Sequence, residues 1–523
     1  MTILYGGHSG NSSLIARETQ KFFRKKKWEQ RVVSMAKYDF TQLADEQHLV
    51  IIVSTHGEGE PPEEARRFYQ YLHSGEAPRL EGVNFTVCAL GDSRYAYFCQ
   101  AGKDIDSRLE SLGAERFYKR VDCDVAYHRP VSKWVSGVAN AFQPSVERQP
   151  MAGLPEDSHY ASSPALLHRV YQLNPESDSA IYHVELELGD PDFSYLPGDS
   201  VRMIPENPGA LVGRVLDLLP ASADTQVLFE EQVQLLSEVL LKRVELTSLS
   251  RGVLRRYWEL GKHAGLEALL EDADQLKSYL EGRDVGDLLA DFPFQGEPEQ
   301  LLPVLRKIQP RLYSVAGSRA ADPGKLHLTV KQVVFDFQER KRLGACSNFL
   351  TQQLKPGANI SVELVPNENF RLPEQADVPV IMIAAGTGIA PFRAFMEERA
   401  WQHPQSRNWL FFGEKNSDRD FLYREDWERW KANGVLSRIT LAFSRDQEKK
   451  VYVQHRLREQ AKEVGQWLKD GAHVYVCGSV AMGQEVTEVI EEVLELVNAQ
   501  SPKENRLSLD LLREAGRWHV DVY

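Results

Sequence analysis

Short apolar runs alternate with amphipathic stretches over the first 140 residues. Residues 2–5 (TILY), 49–54 (LVIIVS) and 83–90 (VNFTVCAL) are apolar and short, so they predict strands. A helical pattern follows each, at 11–27, 62–73 and 100–112. Strand and helix in alternation predict a parallel sheet with crossover helices. Ligands of such sheets sit at the carboxyl ends of the strands. Those ends carry the loops GGHSGNSS (6–13), STHGEGEPPE (54–63) and LGDSRYAYFC (90–99).

The pattern then changes. Residues 143–163 hold Pro, Ser and charge without periodicity and predict a linker. From 164 to about 206 short alternating strands follow, such as IYHVELEL at 181–188, and LPGD closes them at 196–199. Residues 208–290 have Leu three and four apart and predict helices; strand pattern returns at 311–366. This is an antiparallel β barrel (164–375) interrupted by a helical insertion at about 207–305. From 379 onward strand and helix alternate again, the strands being VPVIMIAAG, WLFFGE, RITLAFS and HVYVCGS. The expected organisation is therefore an α/β domain over 1–142, the linker, the barrel, and a second α/β domain over 376–523.

Composition narrows the function. At 523 residues, 42% hydrophobic and 26% charged, this is ordinary globular composition, long enough for several cores. A net charge of −13 argues against nonspecific binding to nucleic acid or anionic membrane. No apolar run reaches about 18 residues, so no transmembrane helix is expected. No basic stretch followed by an apolar one opens the sequence, so no secretory signal is expected. The five cysteines are widely spaced without a Cys-x-x-Cys pair, which predicts neither a disulfide framework nor a metal site. A reducing, cytoplasmic setting follows. Residues 1–142 are nearly neutral, with 19 basic and 18 acidic residues. Their basic residues crowd the first helix (Arg17, Lys21, Arg24, Lys25, Lys26, Lys27, Arg31) and their acids crowd later loops. Two solvated faces or a docking surface both fit.

The three N-terminal loops carry chemistry. Ser9, Ser12 and Ser13 offer hydroxyls, and Gly6, Gly7 and Gly10 allow close backbone approach at a helix N-terminus, a phosphate-favouring place. An ordinary capped turn uses the same residues. A flat apolar ring needs aromatic faces, which Tyr95, Tyr97 and His56 supply. Three such loops at successive strand ends resemble the FMN loops of a flavodoxin-like domain. The resemblance implies that Ser9, Gly10, Asn11 and Ser12 meet the phosphate. It implies that Ser54, Thr55, His56 and Gly57 line the ring with the segment Leu90, Gly91, Asp92 to Tyr97, Phe98, Cys99, Tyr95 being the stacking candidate. One departure stands out: relatives usually carry a hydroxyl residue where Gly7 stands.

The barrel carries RLYS at 311–314, in which Arg311 suits a pyrophosphate and Tyr313 and Ser314 add neutral donors. LGACSN at 343–348 gives a small-residue turn before a helix. With LPGD these resemble the FAD-binding barrel of the ferredoxin–NADP reductase class. The resemblance implies FAD contacts from Arg311, Leu312, Tyr313, Ser314, Gly344, Ala345, Cys346 and Ser347, joined by Thr329, Val330 and Lys331. It places Ser314 beside the flavin N5.

In the last domain AAGTGIAPFRAF (384–395) follows a strand and precedes a helix, with Gly386, Thr387 and Gly388 in a dinucleotide-binding turn that is not the G-x-G-x-x-G fingerprint. In TLAFSRDQEKKVYVQ (440–454) Ser444, Arg445, Lys450 and Tyr452 gather two cations, two hydroxyls and an aromatic plane. An arginine there accommodates the 2′-phosphate of NADP. By resemblance Val451, Gln454 and Glu485 complete the NADP set, Cys477 meets the nicotinamide, and Ser314, Cys477 and Asp521 form the catalytic group. The terminal Tyr523 takes the place of the aromatic that covers the isoalloxazine.

Nearly the whole chain thus resembles the diflavin reductases. That implies NADPH giving electrons to FAD, FAD to FMN, and FMN to a haem-containing acceptor protein, with the linker letting the FMN domain swing between partners. Within the family STHGEGEPPEEA, LGDSRYAYFCQAGKDIDSRLESLG and the Tyr ending point to the branch serving a sulfite-reducing haemoprotein. Another soluble haem or corrinoid enzyme is the alternative acceptor.

Overall fold

The N-terminal apolar runs become Thr2–Gly6, His48–Ser54 and Asn84–Leu90, adjacent strands of a parallel sheet. The order is Arg31–Ser34, Thr2–Gly6, His48–Ser54, Asn84–Leu90, Glu115–Arg116, with Val121–Cys123 also paired to Asn84–Leu90. Val50 and Ile52 pack on one face with Ile15 and Trp134, while Leu49, Ile51 and Val53 pack on the other with Phe68 and Ile105. Both faces are covered, which is why these strands read as continuous apolar runs. The edge strand Arg31–Ser34 (RVVS) escapes the sequence pattern because four residues with a charged end carry no period.

This computed structural model describes residues 1–7, 11–25, 28–56, 59–92, 97–124, 127–142, 161–375, 377–402, 405–499, 502 and 506–523. Ser9, Gly10, Gly57 and Tyr95, and positions 143–160 of the expected linker, lie outside them. The chain forms two compact units, one within residues 1–159 and one over most of 160–523.

In the second unit six antiparallel strands form the barrel sheet, ordered Arg311–Ser314, Ser200–Met203, Asn359–Val365, Ser162–Gln172, Ile181–Leu188, Lys325–Lys331. A bridge between Val315 and Leu328 links its two end strands. Ala165, Leu167, Val184, Leu186, Val201, Leu326 and Leu328 fill its core. The insertion has a separate core of Val215, Leu240, Leu254, Tyr257 and Leu288. One hairpin, Gln226–Phe229 with Gln232–Leu235, falls where helices were expected, and a second, Val334–Phe337 with Arg340–Leu343, lies within the expected strand region. Their turns use Glu230, Glu231 and Gln338, Glu339 at positive φ, where glycine or asparagine is the usual signal. The second hairpin is fastened to the insertion by Arg342. Its guanidinium, buried with both partners, meets Asp287 at 2.7 Å and also Asp284.

The C-terminal sheet is ordered Arg438–Phe443, Asn408–Glu414, Val380–Ala385, His473–Gly478, Trp518–Val522. The first four strands run parallel. Val380–Ala385 is flanked on either side by later strands, so the strand order reverses at its edge and opens the crevice where such sheets bind ligands.

Candidate functional site

At the first loop, Ser12 is fully buried at the start of the helix Asn11–Lys25, and its hydroxyl has no partner among the described residues. Ser54, at the end of its strand, also has a buried hydroxyl without a partner among them. Two orphaned hydroxyls at neighbouring strand ends fit a ligand with oxygens to offer. Asn11 accepts a hydrogen bond from the Tyr127 hydroxyl at 3.0 Å. Thr55 donates its N–H to Leu90 O, and its Oγ1 accepts the Ala101 N–H at 3.2 Å, so the second and third loops are tied together. His56 exchanges backbone hydrogen bonds with Glu60. Tyr97 is half-exposed and lies over Gly59, where a Cβ would come within 2.8 Å of the Tyr97 Cβ. Asp92 and Phe98 are partly exposed at the same loop. Leu90 and Cys99 instead turn their side chains inward. Leu90 packs in the core, and the Cys99 thiol bonds to Ala89 O at 3.3 Å while a left-handed backbone turns the chain at that residue. Gly91 cannot carry a side chain there, since a Cβ would stand 2.7 Å from Cys99 N.

Sequence reasoning missed Glu64. Its carboxylate accepts the Gly7 N–H at 2.9 Å and the Ser34 hydroxyl at 3.0 Å, and burial pushes its pKa up. In sequence it is only one of two acids in a helix's first turn. Gly7 itself is tight, because a Cβ would lie 2.6 Å from Ser12 Oγ. The position expected to bear a hydroxyl is bare, and the Ser12 side chain fills the space beside it.

In the barrel, Arg311 is held by the buried Glu245 at 3.4 Å and by Gln309 O at 3.0 Å. Glu245 was not foreseen, lying in the insertion 66 residues earlier in sequence. Tyr313 and Cys346 are neighbours in the barrel, and burial raises the pKa of both. Leu312 is exposed, and Ser314 is half-buried opposite Ser200. Ala345, Cys346 and Ser347 are buried behind Gly344, with Ser347 Oγ accepting the Val333 N–H at 3.1 Å. Thr329 has its hydroxyl committed to Tyr423 at 2.7 Å, Val330 lies in the barrel core, and Lys331 is exposed.

Thr329 joins a buried chain that sequence reasoning did not find. His183 Nδ1 lies 2.9 Å from the Tyr423 hydroxyl, His183 Nε2 lies 3.0 Å from His327 Nδ1, and His327 Nε2 lies 3.0 Å from Asp322. Neutral rings satisfy every contact in one direction: Thr329 donates to Tyr423, Tyr423 to His183, His183 to His327, His327 to Asp322. Burial holds both rings neutral, with His183 pushed down to about 2. Glu185 stands beside them, and the three residues offer ligand atoms within 4.8 Å of one another. Their ring nitrogens are already taken by this chain.

At the crevice, several sequence-predicted residues come together. The Tyr523 hydroxyl meets Thr387 Oγ1 at 2.7 Å, its N–H donates to Gly478 O at 2.9 Å, and the residue is still 62% exposed. An exposed aromatic pinned at both ends fits a flat ring laid against it. Cys477 is fully buried, and burial followed by the charge of Asp521 raises its pKa. Burial lifts Asp521 to about 6. Gly388 is required, since a Cβ would lie 2.2 Å from Cys477 O.

Along the same edge Ser444 donates its N–H and Oγ to Glu414 O, at 2.9 and 3.3 Å. Arg445 lies 3.9 Å from Asp178. Lys450 and Tyr452 are exposed and Val451 partly so. Gln454 is buried, donates to Glu485, and its Oε1 has no partner among the described residues.

Residues 3–131 match the flavodoxin family, and residues 382–488 match the oxidoreductase NAD-binding domain family. The sulfite reductase [NADPH] flavoprotein alpha-component of Bacillus subtilis is 38% identical over 538 residues, covering 100% of this chain and 89% of that protein. Those of Shigella dysenteriae and Escherichia coli are 38% identical over 541 residues, covering 100% of this chain and 90% of each. The chain belongs to the diflavin reductases. It is an NADPH-dependent oxidoreductase with FMN in the flavodoxin-like domain and FAD and NADPH served by the barrel and the C-terminal domain. Among the described residues no helix is long and apolar enough to cross a membrane.

Proposed function

We propose that this diflavin reductase delivers its electrons to the haem of a sulfite-reducing partner protein in the cytoplasm. The observation that carries this is likeness along the entire chain to proteins named as sulfite reductase flavoprotein alpha-components. Five free, buried cysteines accord with a reducing compartment.

When bound, the flavins turn a two-electron donor into a one-electron supply. The residues of this chain bind, orient and shield. Ser12 and Asn11, with Ser9 and Gly10, hold the FMN phosphate; Ser54, Thr55, His56 and the third loop hold its ring. Arg311, oriented by Glu245, takes the FAD pyrophosphate. Ser444, Arg445, Lys450 and Tyr452 take the NADPH 2′-phosphate end. Tyr523 shields the flavin and gives way to the nicotinamide. Ser314, Cys477 and Asp521 are the catalytic residues. Asp521, with its pKa near 6, can hold or release a proton close to neutral pH.

The test is reconstitution. The flavin-loaded chain mixed with a sulfite reductase haemoprotein subunit consumes NADPH only when sulfite is present. NADPH oxidation that reduces a small haem protein but never the sulfite-reducing one assigns the chain another acceptor.

A further inference from the structure

Glu414 is the last residue of the strand Asn408–Glu414, between the glycine turn and the Ser444–Arg445 corner. The register is explicit: Ala385 pairs with Gly413, and Glu414 with Phe443. Gly386, Glu414 and Ser444 therefore lie in a row across the carboxyl edge of three adjacent parallel strands. At about 4.8 Å per strand the row spans roughly 10 Å. Glu414 is fixed within it. Its Oε2 accepts the Lys415 N–H at 2.7 Å, and its backbone carbonyl is bound by Ser444. Its Oε1 lies toward the turn, 3.6 Å from where a Cβ on Gly386 would stand.

A dinucleotide with its pyrophosphate at the Gly386 turn and its 2′-phosphate at Ser444 and Arg445 has to cross this carboxyl group. The covalent structure of the nucleotide decides what it meets. Between the 5′-linked pyrophosphate and the 2′-phosphate lies the adenosine ribose, whose free donor is the 3′-hydroxyl. A carboxylate facing either phosphate is repelled, whereas one facing a hydroxyl accepts a hydrogen bond, as acids at strand ends do for riboses in related sheets. Burial pushes the Glu414 pKa up, and Lys415 and Lys331 oppose that shift. We propose that Glu414 is a specificity residue of the NADPH site that accepts the adenosine ribose 3′-hydroxyl and sets the span between the two phosphate subsites. This rests on the assignment of Ser444 and Arg445 to the 2′-phosphate.

The experiment is isothermal titration of the flavin-loaded full chain with NADP⁺ and with adenosine 2′,5′-bisphosphate. Glu414→Ala should weaken both ligands about tenfold, the loss expected for one hydrogen bond to a charged group. Glu414→Gln, which keeps an acceptor oxygen, should recover most of it. Unchanged or tighter binding in Glu414→Ala overturns the proposal, because the carboxylate would then only repel. A loss for NADP⁺ alone also overturns it, since the contact would lie on the nicotinamide side. Arg445→Ala, titrated alongside, separates the underlying assignment: if it leaves both affinities intact, the nucleotide reading fails and the Glu414 proposal falls with it. Flavin absorbance and melting temperature of each variant confirm the fold.

Discussion

Two residues show how much hangs on a single side chain. Gly7 leaves room for Ser12, whose Oγ would stand 2.6 Å from a Cβ at that position. Gly7→Ala should push Ser12 aside and weaken FMN binding by tenfold or more, while riboflavin, which has no phosphate, should lose little. Fluorescence titration of flavin-stripped protein with both ligands checks this; equal losses would place the damage in the ring pocket. Asp521 gives a pH prediction. The folded chain keeps its proton up to about pH 6, whereas an unfolded carboxyl releases it near 4. Its contribution to stability is thus fully present below about pH 4 and is lost as pH rises to 6. Asp521→Asn should therefore stabilise the protein by about 2–3 kcal/mol at pH 7.5 and hardly at all at pH 4. Urea unfolding at the two pH values measures it. At this scale the sequence singled out rare residue types such as Arg311, Cys477 and Tyr523. It gave no signal for Glu64, Glu245 and Glu414, whose contacts lie far away in the chain.

Elements were legible wherever periodicity ran long enough. The parallel strands and the helices after them fall within a few residues of the pattern, because strands buried on both faces must be apolar throughout. The barrel strand Ser162–Gln172 shows the other regime, alternating exposed and buried positions along its first half. The hairpin of Gln226–Phe229 and Gln232–Leu235 was illegible because its Glu-Glu turn carries no glycine or asparagine signal. The glycine turn at 386–389, proposed to receive the nucleotide, is packed tightly against the neighbouring strand. Gly388→Ala would force a Cβ to 2.2 Å from the Cys477 carbonyl. The turn or the neighbouring strand must then move. NADP⁺ affinity should fall more than tenfold and stability by about 1–3 kcal/mol, in the range of overpacking substitutions. Calorimetric binding and thermal melting check both numbers.

For the whole molecule, the buried charges and rings of the second unit set its limits. His183 and His327 are neutral in the folded state, with His183 pushed down to about 2 by burial. Unfolded histidines take up a proton near pH 6.5. The stability these rings contribute is present above that pH and is lost as pH falls through it, by up to about 1.4 kcal/mol per pH unit for each ring. Melting between pH 7.5 and 5 should show this loss, and His183→Gln should reduce the slope; a flat profile would mean that the rings are protonated in place. Arg342→Ala should cost about 1–3 kcal/mol, since Asp284 and Asp287 would lose their most buried cation while Arg340 and Arg214 stay beside them. The order of domains was legible because each carries its own periodicity. The identity of the electron acceptor was written only in a resemblance.

The central claim is that this one chain carries two flavins fed by NADPH. Flavins released from the purified protein should be FAD and FMN, one of each per chain, and anaerobic NADPH should bleach both while NADH bleaches little. FAD alone, in protein never exposed to flavin-stripping conditions, would contradict the account at the first loop.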